Sequence, residues 1–175
     1  MYGITEIMVI RKAKVSDIQE IVEVFSDAKQ SMKAAGINQW NEEYPGASEA
    51  QRDIENGTAY VLWDDEHVIG YSAIVFSEDI NYLKIDGRWL NDEPYGVIHR
   101  TCVLSSCKGK GLAGLFFDYA EKLAEDAGVH NMRIDTHKDN VPMQHCIAKH
   151  GYTYCGVVYM VSGDGSPRDA FQKIL

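Results

Sequence analysis

The residues best suited to chemistry cluster near the middle of the chain. Val103 to Leu115 reads VLSSCKGKGLAGL, the end of an apolar run followed by a glycine-rich turn and the start of a helix. Glycine has no Cβ, so the backbone N–H groups around Gly109 and Gly111 can approach a ligand closely. The first N–H groups of a helix have no partner inside it, and the helix dipole adds partial positive charge. Together these bind phosphate, and Lys108 and Lys110 would reinforce them. Four residues before Val103 stands His99. Its unperturbed pKa near ~6.5 leaves much of the imidazole neutral at pH 7, which makes it the candidate general base. The period of two on a strand predicts that His99 and Val103 share one side. A histidine satisfied within the core is the competing reading.

Three further residues are candidates to orient that base or to bind an acceptor. Asp135 and His137 follow an apolar run as D-T-H, and Trp40 lies in INQW. The structural alternatives are a turn cap for Asp135 and a core position for Trp40.

Positioning these groups takes a series of regular elements. Met8 to Ala13 reads as a strand, and Ser16 with Gln19 as a capping box. Ile18, Ile21, Val22, Phe25, Ala28 and Met32 recur at helical spacing, and Gly36 ends that helix. Ile37 to Gly46 reads as a loop and Ala47 to Asn56 as a second helix. Thr58 to Trp63 and His67 to Phe76 flank Asp64-Asp65-Glu66 as an antiparallel hairpin. Ser77 to Tyr95 is polar and irregular, and Gly96 to Val103 is the strand that carries His99. Leu112, Leu115, Phe116, Tyr119 and Leu123 mark a helix closed by Gly128. Asn131 to Asp135 is a strand, Pro142 to His150 a short helix ended by Gly151, and Thr153 to Val161 a last strand. This order predicts an α/β chain, with a mixed sheet covered by helices on both faces.

Composition narrows the function further. The 175 residues fit one domain. With 26 acidic against 17 basic residues the net charge is −9, which argues against broad nucleic-acid binding. Yet Pro94 to Phe117 and Asn140 to Gly163 contain no acid, and an anionic ligand would be repelled by acids there. Cys102, Cys107, Cys146 and Cys155 form no C-x-x-C pair, so no metal site is expected. No apolar run approaches a membrane span, and the start of the chain lacks a secretory pattern, so a cytoplasmic protein is expected.

Read literally, Gly109, Gly111 and Gly114 also match the dinucleotide fingerprint G-x-G-x-x-G, with Asp135 at the spacing of a ribose-binding acid. Against that reading, five residues separate the turn from the strand end. The motif also follows an antiparallel hairpin past the chain's midpoint, with too few residues after it for repeated βα units.

In these segments the chain resembles the GCN5-related N-acetyltransferase (GNAT) superfamily. Lys108-Gly109-Lys110-Gly111-Leu112-Ala113 is similar to that family's pyrophosphate loop, (Q/R)-x-x-G-x-(G/A), with lysine in its first position. Asn140, Pro142 and Met143, followed by Gly151-Tyr152, resemble its later N-x-x-(A/M) segment and Gly-aromatic pair. The likeness runs from about Met8 to Val161. It implies a single domain over residues 1–175 with a core of about 8–161, and a mostly antiparallel sheet of about seven strands whose central pair splays around the cofactor.

It implies acetyl-CoA as cosubstrate, held by Cys102, Val103, the loop Lys108 to Ala113, Asn140 and Met143. The expected activity is acetyl transfer to the primary amine of a small molecule or peptide, with His99 as base and Trp40, Asp135 and His137 near the acceptor. A homodimer is compatible with the resemblance. One position departs from the family: where many members carry a tyrosine that protonates the leaving thiolate, this chain has Ile147. A non-catalytic acyl-CoA sensor is therefore the alternative from another functional class.

Overall fold

The computed structural model describes residues 7–175, so the first six residues of the expected domain lie outside it. Eight strands form one sheet: β1 (Val9–Lys12), β2 (Ala59–Trp63), β3 (Val68–Val75), β4 (Asp86–Gly87), β5 (Gly96–Val103), β6 (Asn131–Thr136), β7 (Thr153–Tyr159) and β8 (Pro167–Ile174). Their spatial order is β1-β2-β3-β5-β6-β8-β7-β4. Only β5 and β6 run parallel.

Four helices cover the sheet: α1 (Ile18–Ala34), α2 (Ala47–Glu55), α3 (Leu112–Asp126) and α4 (Val141–Lys149). The buried residues of α1 are Ile21, Val24, Phe25 and Ala28, one stripe at helical spacing. They pack with Tyr71, Ala73 and Cys102 on one face of the sheet. Phe116, Phe117, Ala120 and Ala124 of α3 pack with Leu62, Ile98 and Val103 on the other. Gly36, Gly128 and Gly151 each follow a helix with positive φ, as their helix-ending positions predict.

The sequence expectations are revised at the turn before α1, at two unforeseen strands and at β5. The turn before α1 is closed by Asp17, whose carboxylate accepts the Lys14 N–H at 2.7 Å and binds Arg11, so Ser16 and Gln19 are not its capping box. The fold also continues past Val161 into β8, which lies between β6 and β7. Its buried positions are Arg168, Ala170 and Gln172, so it carries no alternation of apolar and polar residues for a reader to find. Inside the stretch read as irregular, the two residues of β4 pair with β7 at the opposite edge.

The last revision concerns β5. Against β3, Cys102 pairs with Tyr71 but His99 pairs with Ala73, so three steps on β5 match two on β3. Arg100 sits at this bulge with φ +53°. The extra residue reverses the alternation of side chains. His99 therefore shares a face with Cys102, and Val103 lies on the opposite face, contrary to the period-of-two expectation.

A left-handed conformation at a residue with a side chain is unfavourable, by about 1–2 kcal/mol. Buried electrostatics offset it. Arg100 donates to both oxygens of Asp53 on α2 at 2.8–3.0 Å, and Tyr71 Oη donates to Asp53 Oδ2 at 2.6 Å. Both ion-pair side chains are nearly inaccessible, at 13% and 5% exposure. Removing one partner leaves the other charge buried, so Asp53→Ala should lower the unfolding free energy by about 3–5 kcal/mol in urea denaturation. A loss under ~1 kcal/mol would mean that the bulge holds itself.

Candidate active site

The parallel pairing of β5 and β6 covers only Gly96–Met132 and Val97–Arg133. Beyond Val97 the two strands diverge, as expected for the central pair, and two cavities open around the gap.

The first is a mostly apolar cavity of about 420 Å³ beside α1, α3 and α4. Cys102, Val103, Lys108, Gly109, Gly111, Leu112, Ala113, Asn140 and Met143, all expected cofactor contacts, line it. Lys110 does not. Gly109 and Gly111 have φ +79° and +72°, and nothing lies within 4 Å of where a Cβ would be on either. Gly111 is the N-cap of α3, and the first bond of that helix runs from Gly114 N–H to Gly111 O, which leaves the Leu112 and Ala113 N–H groups ahead of it. Gly114 serves packing instead: an added Cβ would stand 2.7 Å from the His150 ring. Among the described residues no carboxylate lines this cavity, whereas Lys108, Lys149, His145 and His150 do. The acid-free windows of the sequence thus meet in space.

Asn140 caps α4 by accepting the Met143 N–H at 3.3 Å, and its amide donates to Gln39 Oε1 at 2.8 Å. Burial pushes the Cys102 thiol well above its ordinary range, which keeps it protonated and rules it out as a nucleophile at neutral pH. Ile147, where the family carries its tyrosine, is fully buried in the core. Its neighbour Cys146 lines the cavity, with burial raising its thiol.

The second cavity is a cleft of about 750 Å³, lined by His99, Trp40 and Asp135 among others. His137 lines neither cavity; its Nδ1 accepts the Asp139 N–H at 3.2 Å. Trp40 is half-buried and edge-on to Phe25 at 6.0 Å, so it serves both as core and as cleft wall. His99 Nε2 lies 2.9 Å from Asp79 Oδ2. A proton on Nε2 is held by that carboxylate, which leaves Nδ1 as the acceptor. Burial pushes Asp79 up, but the contact with His99 and the N–H of Asn81 outweigh it and hold the carboxyl below its ordinary range.

Asp135 goes the other way. Burial raises it, and Tyr82 Oη donates to its Oδ2 at 2.7 Å. Asp79 and Tyr82 come from the segment read as irregular; no spacing signal marks them, because a loop brings them to His99.

The two cavities share Met32, Thr101, Asn140 and Met143 in their walls. The two spaces therefore adjoin at these residues.

This fold is the one found in GNAT acetyltransferases, as comparison with known proteins shows. The model of the acetyltransferase (GNAT) family matches residues 18–152. An acetyltransferase of that family from Streptococcus agalactiae 2603 is 35% identical, with 96% of this chain and 95% of that chain covered and a TM-score of 0.84. The PaiA N-acetyltransferase of Thermoplasma acidophilum, solved in complex with coenzyme A, shares the fold at 18% identity, with 97% and 99% covered and a TM-score of 0.70. The N-acetyltransferase YjcF of Bacillus subtilis (strain 168), named as uncharacterized, is 29% identical over 107 residues, 61% of this chain. The chain spans 64% and 52% of the length of the two curated relatives it matches.

The chain belongs to the GNAT acetyltransferase family. Its topology, with a single parallel strand pair, excludes the dinucleotide fold weighed above.

Gly111→Glu puts bulk and negative charge into the open space at the start of α3. It should weaken coenzyme A binding at least about tenfold by calorimetry. Unchanged affinity would show that the loop is not the phosphate site.

Proposed function

We propose that this protein transfers the acetyl group of acetyl-CoA to a primary amine while both substrates are bound. The observation that carries the reading is the junction of the two cavities, with a glycine-rich anion site on one side and His99 on the other.

The residues present fit coenzyme A. Gly109 and Gly111 leave room for a diphosphate, the Leu112 and Ala113 N–H groups and Lys108 favour its charge, and no carboxylate opposes it. Ala28, Ile37, Val103 and Met143 give an apolar path to the junction. From Ile98 to Val103, the edge of β5 facing β6 has no ladder partner, so its backbone is open to a pantetheine arm. Bound there, the thioester supplies an activated acyl carbon.

The chain does the rest. An amine enters the cleft as an ammonium, since its ordinary pKa is near ~10.4. His99 Nδ1 takes one proton while Asp79 holds Nε2. The freed lone pair forms the C–N bond as the C–S bond breaks. The nitrogen then sheds its second proton to become an amide, that proton passes through solvent to the thiolate, and His99 returns its own to solvent. Ile147 supplies no acid, but with a thiol pKa near ~8.5 release of thiolate at pH 7 is uphill by only ~2 kcal/mol, and solvent suffices. Holding both substrates at the junction adds the gain of proximity.

The sensor reading draws on Ile147, and turnover separates the two. Wild-type protein should acetylate an amine; a chain that binds acetyl-CoA and turns over none of a broad amine panel would be a sensor. His99→Ala should lower kcat by about 10²–10⁴. It should also abolish the rise of kcat/KM with pH that deprotonation of the imidazole produces, and leave acetyl-CoA affinity unchanged. An identical pH profile in the variant would remove His99 from the base role.

A further inference from the structure

The charge of the acceptor cleft singles out one kind of amine. We infer that the acceptor carries a second positive charge beyond the reacting ammonium, as an aliphatic di- or polyamine does. This rests on the acetyl-transfer reading for the role of the cleft, but not for its charge.

Five carboxylates and three guanidinium groups line the cleft. Several neutralise one another: Arg52 contacts Glu49 at 3.8 Å, Arg100 is bound by Asp53, and Asp79 holds His99. Three carboxylates remain with no cation within 4 Å among the described residues, those of Glu78, Asp135 and Asp164. Against them stands Arg168, whose donors are turned to the Gln39 and Pro167 carbonyls and the Ser166 hydroxyl. Burial pushes Asp135 toward its neutral form, so Glu78 and Asp164 carry the unpaired charge against Arg168, and the cleft is left with one negative charge in excess. The adjoining cavity, built for an anion, has none. One wall thus separates spaces of opposite preference, and like-charged ligands are turned away from each.

The carboxylates also lie at two levels. Asp135 is on β6, one residue past the position paired with Phe171, and it shares with His99 the face that bears Val97 and Arg133. Asp135 therefore stands near the reacting end. Glu78 and Asp164 are exposed, on segments joined where Ser162 N–H and Oγ donate to Asn81 Oδ1 at 3.1 and 3.0 Å. That link places both acids on one rim. A monoamine meets only the inner level, where Asp79 beside His99 is the ionised acid. An amine with a second ammonium along its chain also answers the rim, while an acceptor bearing a carboxylate meets the negative excess.

The test compares four-carbon acceptors that differ at one end: butylamine, 1,4-diaminobutane and 4-aminobutanoate. With acetyl-CoA and wild-type protein, kcat/KM should favour the diamine over the monoamine by roughly tenfold, and the amino acid should be slowest. The diamine advantage should shrink as salt rises from 0.05 to 0.5 M, both values chosen to span about the screening range. In the variant carrying both Glu78→Gln and Asp164→Asn, the diamine-to-monoamine ratio should fall to near one. Equal rates for monoamine and diamine, or a preference for 4-aminobutanoate, would overturn the inference, the latter in favour of a carboxylate subsite at Arg168. If none of the three is acetylated, the broad amine panel decides the transfer reading. Calorimetric binding of the same three to the coenzyme A complex then still decides the charge preference.

Discussion

Access to both cavities depends on how little of β5 and β6 is paired. Two residue pairs join them, Gly96–Met132 and Val97–Arg133, after which the strands part. A fully zipped parallel pair would satisfy the backbone of β5 and fill the gap with side chains. Because it opens, that backbone edge borders two adjoining cavities, with the glycine turn at the end of the strand in one and the ring of His99 in the other. The partial pairing survives because β3 holds the other edge of β5 and β8 holds the far edge of β6.

The bulge at Arg100 decides what faces that gap. Without it, regular alternation would carry His99 to the α3 face, among Phe116 and Val103, and the cleft would lack its imidazole. The backbone strain at Arg100 is offset by a buried ion pair to α2, extended by Tyr71 of β3 and Tyr44 of the α1–α2 loop. One polar network thus fixes a helix, two strands and a loop around the same residue. Arg100 is therefore structural although it lines the cleft, as a charge consumed by Asp53.

Electrostatics divide the site in a second way. The chain is acidic as a whole, yet among the described residues the cavity beside α3 has no carboxylate in its wall and the cleft next to it has several. Asp79 and Asp135 show how placement sets chemistry for two like groups on one cleft. Asp79 gains from His99 and an N–H and stays ionised, while burial pushes Asp135 toward its neutral form despite the Tyr82 hydroxyl.

Local patterns were legible wherever a residue's role is set by its neighbours in sequence. Apolar periodicity marked α1 and α3, glycines marked the helix ends, and the turn Lys108 to Ala113 marked the start of α3 and its open glycine backbone, because such features act over a few residues. The absence of acids from two distant windows announced a single cavity. Residues whose role depends on remote partners were not legible. β8 hid because Arg168, Ala170 and Gln172 are buried through hydrogen bonds and small size rather than apolarity. Asp79 and Tyr82 came to His99 on a loop without pattern. The side on which His99 stands was set by one inserted residue, held by a charge on another helix. Periodicity along a chain cannot register that event, because its stabilisation comes from groups about fifty residues away.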